Sequence, residues 1–440
     1  MPQSSTWLGL ACLSLLAPWG VSLLLTGLGR GRNAAHTLLS CWLAFSLAAL
    51  AFWAVGCKWA GLPWAASHGI TIHDKFWNLI GAAPLLGAGM NQPGWLGANA
   101  GWWVLAGMIG AGWAAMLALG AAAERWRLAS LTCGSLLIGG LIFPLGFHWL
   151  WAGGWLAGLG QLNQWGHGTL DASGALAVQA TGAVCALALA WRLGPRRNKY
   201  NRQGQPQALP GHNTVFILAG AALAGVGMLG WNAFTALAIW HVPAALVPRI
   251  AVNTWLGGAA AWLTALGLSA RVFGRPDASI AANAWMAGLA AVSAGAPWLH
   301  PAAALIIGVA AGALAFYAIQ ALELHARVDD PSGVIAAQGL GGIWGALALG
   351  VAARLSPGWF PGGLINGLGL PLHGGHGQLA AQWLGVASWL GALLPLAYGC
   401  FWLLGRFIPP RVSPEAEAQG LDLHELGGSA YPEAAGFGED

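Results

Sequence analysis

Of 440 residues, 57% are hydrophobic and only 7% charged, the formal net charge is +4, and the mean hydropathy is +0.62. Soluble domains average about 25% charged residues, so a soluble globular domain is excluded, and the slight positive balance makes no case for nucleic acid binding. Apolar runs on the order of 20 residues, the length that crosses a bilayer, recur almost throughout.

In chain order these runs predict eleven spans: Trp7–Leu28, Thr37–Val55, Gly101–Ala123, Ala129–Trp151, Ala172–Trp191, Thr214–Thr235, Ile250–Leu268, Ala278–Ala294, Ala302–Leu322, Gly333–Ala353 and Leu379–Leu404. The expected fold class is an all-α polytopic membrane protein, with a transmembrane domain over residues 1–405 and a tail over 406–440. Met1–Ser5 has no positive charge and precedes a run long enough to span, which predicts no cleaved signal peptide. Threading alternate loops gathers the basic residues from Arg30 to Arg411 on one side and leaves Lys58, Lys75, Arg249 and Arg354 on the other. The positive-inside rule then puts the amino terminus outside and the tail in the cytoplasm, in an inner or plasma membrane. Cys12, Cys41, Cys57, Cys133, Cys185 and Cys400 show no CxxC or Cys/His pairing, so they read as small buried hydrophobes.

One pattern, DxSGxxxxQxxG, occurs twice: Asp171 to Gln179 to Gly182, and Asp330 to Gln338 to Gly341. On the expected topology the first copy starts a span entering from outside and the second a span entering from the cytoplasm. That opposition predicts an inverted five-plus-five repeat about a pseudo-two-fold axis, covering residues 7–193 and 214–353, with a last helix over 379–405. Each Gln follows its Asp by about 12 Å of helix, so both amides are expected near mid-membrane. Asp171 and Asp330 read first as helix caps accepting backbone N–H groups, and only second as cation-binding acids. Of the two, Asp171 is the better functional candidate, because Asp330 shares its loop with Arg327 and Asp329. Gln179 and Gln338 read either as pore-lining groups or as mutual helix-helix glue, the first favoured because intramembrane polar groups mark pathways.

Further motifs carry a family resemblance: Ala123-Glu-Arg125, His148 to Gly154, Gly230-Trp-Asn-Ala233, Val252-Asn-Thr254, Arg327 to Pro331, and Gly420 to Tyr431. Together, and in order, they resemble the ammonium transporter family (Amt/Mep/Rh). The resemblance implies a homotrimer with one pore per subunit, an outer vestibule that recruits ammonium, a gate of two Phe rings, and a central pair of histidines. By position the vestibule falls on Trp151 and Thr235, which offer a cation-π face and a hydroxyl. The gate positions fall on Gly110 and Trp231, one larger ring facing an empty place. The two histidine positions fall on Gln179 and Gln338, whose carboxamides do not titrate, so a proton relay through them is not expected. The tail segment Gly420 to Tyr431 looks like the family element that packs beneath the pore and meets signalling proteins of the PII type.

Other histidines lie in loops, and His373-Gly-Gly-His376 reads as a solvated loop, with two ligands too few for a metal site. No metal or cofactor is expected, and no nucleophile-base pair argues for an enzyme. The expected function is an ammonium or ammonia channel, with methylammonium as a further substrate, divergent at its gate and centre. The alternative is an ammonium-binding sensor with little flux.

Overall fold

The computed structural model describes residues 2–62, 67–85, 100–355, 372–373 and 376–431. Among the described residues ten helices are long and apolar enough to cross a membrane: α1 (Ser5–Leu28), α2 (Gly31–Ala60), α3 (Ala100–Ala122), α4 (Leu128–Leu150), α5 (Ala175–Leu193), α6 (Thr214–Ala238), α7 (Ala244–Phe273), α9 (Pro301–Ala326), α10 (Ile335–Ala352) and α11 (His376–Leu404). Helix α8 (Ala278–Ser293) occupies the eighth predicted span but has only 16 residues, about 24 Å of helix against a hydrocarbon core of about 30 Å. Its side chains from Ala281 to Ser293 are all buried, so it runs inside the bundle.

Local chemistry fixes several helix starts. Asn213 accepts from the Phe216 N–H at 3.0 Å to open α6, and Asp277 accepts from the Ile280 N–H at 2.9 Å to open α8. Helices α5 and α10 open alike. Each follows a motif glycine in the left-handed region, Gly174 at φ 89° and Gly333 at φ 70°, where only glycine is free of strain. Each then begins with a π-helical turn that carries its glutamine, Ala175–Ala180 and Ile335–Gly339.

Between helices, small residues let backbones touch. A Cβ at Gly20 would lie 2.1 Å from the Ala224 nitrogen, and one at Gly227 1.9 Å from the Ala17 nitrogen, which locks α1 against α6. Gly139 of α4 sits equally close to Ala48 of α2. Packing of α2 on α3, α2 on α4 and α3 on α5 is matched by α7 on α8, α7 on α9 and α8 on α10.

Connections alternate between two faces. On one face an antiparallel hairpin, β1 (Ser67–Ile72) and β2 (Lys75–Gly81), is held by His148, whose Nδ1 lies 3.0 Å from the Ala60 oxygen and whose Nε2 lies 2.9 Å from Asn78 Oδ1. On the opposite face the loop before α4 meets the tail, where Trp126 bridges to Arg411 and two short helices follow, α12 (Pro414–Gln419) and α13 (Leu421–Leu426). Part of the His373–His376 segment and residues 432–440 lie outside the described residues.

Candidate functional site

Both copies of the repeated motif present an acid to a helix start, but they are satisfied very differently. Asp171 is fully buried, and its two oxygens accept from four successive N–H groups, those of Gly174, Ala175, Leu176 and Ala177, each at 2.8 Å. Its acceptor capacity is consumed by the helix it starts. Asp330 accepts from the Ile335 N–H at 2.8 Å and, more weakly, from those of Ala336 and Val334, and it lies 3.4 Å from the Ser332 hydroxyl. It borders a cavity lined also by Lys199, Glu323 and Asp329. The motif pair thus sits on opposite faces of the bundle, Asp171 beside the α8–α9 connection through Ala172 N–H to the Ala294 oxygen (2.8 Å), Asp330 beside the tail.

The Asp171–Gly174 turn is the hub for the residues that the resemblance assigns to vestibule and gate. Trp151 donates its indole N–H to the Asp171 carbonyl at 2.6 Å, and Trp231 donates to the Ser173 carbonyl at 2.7 Å. The Thr235 hydroxyl lies 2.8 Å from the Ser173 hydroxyl and donates also toward the Trp231 carbonyl at 2.8 Å. Behind them Asn232 bonds to Thr254 (2.9 Å) and Ser293 (3.0 Å), tying α6 to α7 and α8. Trp151, Trp231 and Thr235 are all fully buried, so in this state neither the indole face nor the hydroxyl stands open to solvent.

The space expected to be empty at Gly110 is filled. A Cβ built on Gly110 would lie 2.7 Å from Phe143 Cζ, because the ring of Phe143, reaching in from α4, occupies that place. Trp231 does not swing across: its N–H is spent on Ser173, and its ring meets Trp113 edge-on at 5.8 Å.

Beyond the turn, α5 and α10 cross in antiparallel sense. Gly342 of α10 packs against Ala175 and Gln179, while Gly339 packs against Ala183. The crossing brings the two π-helical turns together, and with them Gln179 and Gln338, both fully buried. All four of their side-chain polar atoms lack a hydrogen-bond partner among the described residues. The two amides therefore bond neither to each other nor to any neighbouring group, which is not what helix-helix glue requires. Among the described residues no three His, Cys, Asp or Glu side chains gather into a metal-binding group.

Several contributors were not visible as site residues in the sequence. Gln382 of α11 accepts from the Leu170 N–H (2.7 Å) and donates to the Leu170 and Ala346 carbonyls (2.9 Å each), so one amide holds the approach to the Asp171 turn against α10. Gln378 does the same one turn earlier, toward His167 N–H and the Gly168 carbonyl. Their i, i+4 spacing on an apolar helix was the only available signal. Phe143 carried none.

A bundle of membrane-crossing helices closed around a buried polar centre, with a capped turn guarding the approach, has the architecture of a polytopic membrane transport protein. Its family follows from comparison: residues 6–431 match the model of the Ammonium Transporter Family, and the chain belongs to that family. The ammonium transporter Amt2 of Archaeoglobus fulgidus is 32% identical over 439 residues, spanning 98% of this chain and 89% of that protein. A solved sensor Amt protein superposes with a TM-score of 0.80 at 26% identity, covering 96% of this chain and 97% of the other. Mep2 of Saccharomyces cerevisiae shares the fold, with a TM-score of 0.74 at 22% identity over 91% and 87% of the two chains.

Proposed function

We propose that the protein conducts neutral ammonia, and methylamine as its analogue, past the amides of Gln179 and Gln338, without a histidine relay. The observation that carries this reading is the four unpartnered amide atoms at the crossing of α5 and α10. Leaving a buried polar group unpaired costs about 1–3 kcal/mol, so a pair with no protein partner calls for water or a small polar permeant between them. Carboxamides supply both donors and acceptors, which suits ammonia and water in single file. A bare ammonium ion at the same depth would be opposed by desolvation that two amide oxygens only partly offset. Trp151 and Thr235 form the recruiting vestibule, and the proton that ammonium gives up stays with the outside water as ammonia enters.

The corresponding contacts within helices one to five and six to ten support a repeat, and the distribution of basic residues supports eleven spans with the amino terminus outside and the tail in the cytoplasm. The assembly in this reading is a homotrimer, as the resemblance implies, to be checked by native mass spectrometry. In proteoliposomes, ammonia should equilibrate faster than in protein-free vesicles, and changing both Gln179→Leu and Gln338→Leu should return flux to background. Flux unchanged by the double substitution would falsify the pore-lining assignment.

A second reading is favoured by the similarity to a solved sensor Amt protein and by a tail bonded directly to the bundle. In it, ammonium binds at the vestibule and is signalled through the tail to a PII-type protein at that face. Ammonium would then alter hydrogen exchange in α12 and α13 while vesicle flux stayed at background.

A further inference from the structure

At Gly110 of α3 a ring from the next helix, α4, occupies the space that a side chain would take. A Cβ there would meet Phe143 Cζ at 2.7 Å, Phe143 Cε2 at 3.3 Å and Val178 Cγ2 at 3.3 Å. Phe143 is fully buried, and its ring packs against Phe52 at 5.7 Å and Phe147 at 6.0 Å between centroids. Phe147 in turn meets Trp151 edge-on at 5.2 Å. Val178 also leans against Gly174, where a Cβ would lie 2.6 Å from its Cγ2. A row of aromatics therefore leads from Trp151 to the gap between Gly110 and Val178, one residue before the unpartnered amide of Gln179.

We propose that Phe143 is the ring that closes the path between the Asp171 turn and Gln179, supplied from α4 into the space that Gly110 leaves open on α3. The proposal rests on reading Gln179 as a pore-lining group. Its physical basis is mutual exclusion: at 2.7 Å a side chain at position 110 and the present ring of Phe143 cannot coexist, so either helix can furnish the closing group but not both. The ring is held by Phe52 and Phe147, and without a polar atom it offers a permeant no hydrogen bond while it stands in place.

The test follows position 179 directly. In full-length protein carrying Gln179→Cys, the rate at which a small methanethiosulfonate reagent modifies position 179 is read by peptide mass, so that native thiols do not count. Adding Phe143→Ala should raise that rate roughly tenfold, the step that follows from about 1.4 kcal/mol off a barrier. Adding Gly110→Phe to Phe143→Ala should slow it again, because the ring is now provided from α3. Phe143→Leu, which keeps an apolar side chain in the core, should give an intermediate rate and serves if Phe143→Ala does not yield monodisperse protein. A rate indifferent to Phe143→Ala and Phe143→Leu, or a double variant as fast as Phe143→Ala alone, overturns the proposal. Ammonia flux in proteoliposomes is a separate arm. Modification that responds to Phe143 while flux stays at background keeps Phe143 as the closing ring and overturns the transport reading instead.

Discussion

Asp171 and Asp330 occupy the same place in a repeated motif, and their surroundings separate them. Four N–H groups converge on Asp171 at 2.8 Å, whereas Asp330 has one at that distance and two weaker ones. Hydrogen bonds to charged groups contribute about 1.5–3 kcal/mol each, and an asparagine at position 171 would turn an N–H₂ toward donors it cannot accept from. Asp171→Asn should therefore cost at least about 3 kcal/mol, and Asp330→Asn about 1–2 kcal/mol, seen as a large and a small drop in the apparent unfolding midpoint in detergent. The sequence ranked Asp171 as the better functional candidate; its saturated carboxylate has no acceptor left for a cation. At the centre, carboxamides in place of titrating groups predict that flux, normalised to free ammonia, shows no inflection between about pH 6 and 8, the range in which a histidine would change charge. An inflection there would point to a relay elsewhere.

Among the elements, the helix positions were legible because each apolar run is long and bounded by polar loops. Their contacts were not, since small residues occur on every span and only the packed state tells which glycines touch a partner. Gly227 is one that does, 1.9 Å in projection from the Ala17 nitrogen, whereas nothing lies within 4 Å of a Cβ on Gly267. Gly227→Val should force α1 from α6 and destabilise by at least about 1–3 kcal/mol, while Gly267→Ala should leave the melting midpoint within error or raise it slightly. Equal effects at the two sites would show that close backbone approach does not hold α1 to α6. The same limit explains the gate: that Phe143 of α4 fills the place of a residue missing from α3 is a contact between side-chain positions on two separate helices, with no trace in either segment alone.

Across the whole molecule, the tail is wired to helix starts on its face. Asp422 accepts from His36 N–H at 2.7 Å and Ala35 N–H at 3.1 Å at the start of α2, and Glu425 lies 2.6 Å from His36 Nε2 and accepts from Leu128 N–H at the start of α4. Gly420, at φ 109° and 2.6 Å in projection from the Arg32 oxygen, lets the chain turn between α12 and α13 where no side chain fits. Beside them Arg196 pairs with both Glu124 (3.3 Å) and Asp329 (3.0 Å). Burial acts to raise the Asp329 carboxyl, but Arg196 and Arg125 hold it below its ordinary value. Burial likewise opposes ionisation of Glu425, and its bonds to His36 and the Leu128 N–H outweigh that and lower it. A depressed carboxylate adds stability above its unfolded value of 4.5, and loses it as pH falls through the lower folded value. Glu425→Gln should therefore lower the unfolding midpoint at pH 7 and do so less at about pH 3. A difference that does not shrink on acidification would remove Glu425 as a tail fastener.

By itself the sequence determined that this is a many-spanning membrane protein with a twice-repeated acid-to-amide spacing, because the bilayer demands long apolar helices and makes every buried polar residue conspicuous. The family was also readable there, since its motifs are local and ordered. Tertiary structure alone decided what those polar residues meet: that Asp171 is filled by its own helix, that Gln179 and Gln338 meet no partner among the described residues, and that a ring from α4 stands at Gly110. Hydrogen bonds and van der Waals contacts act over a few ångströms, and which groups come that close is settled only when the helices cross.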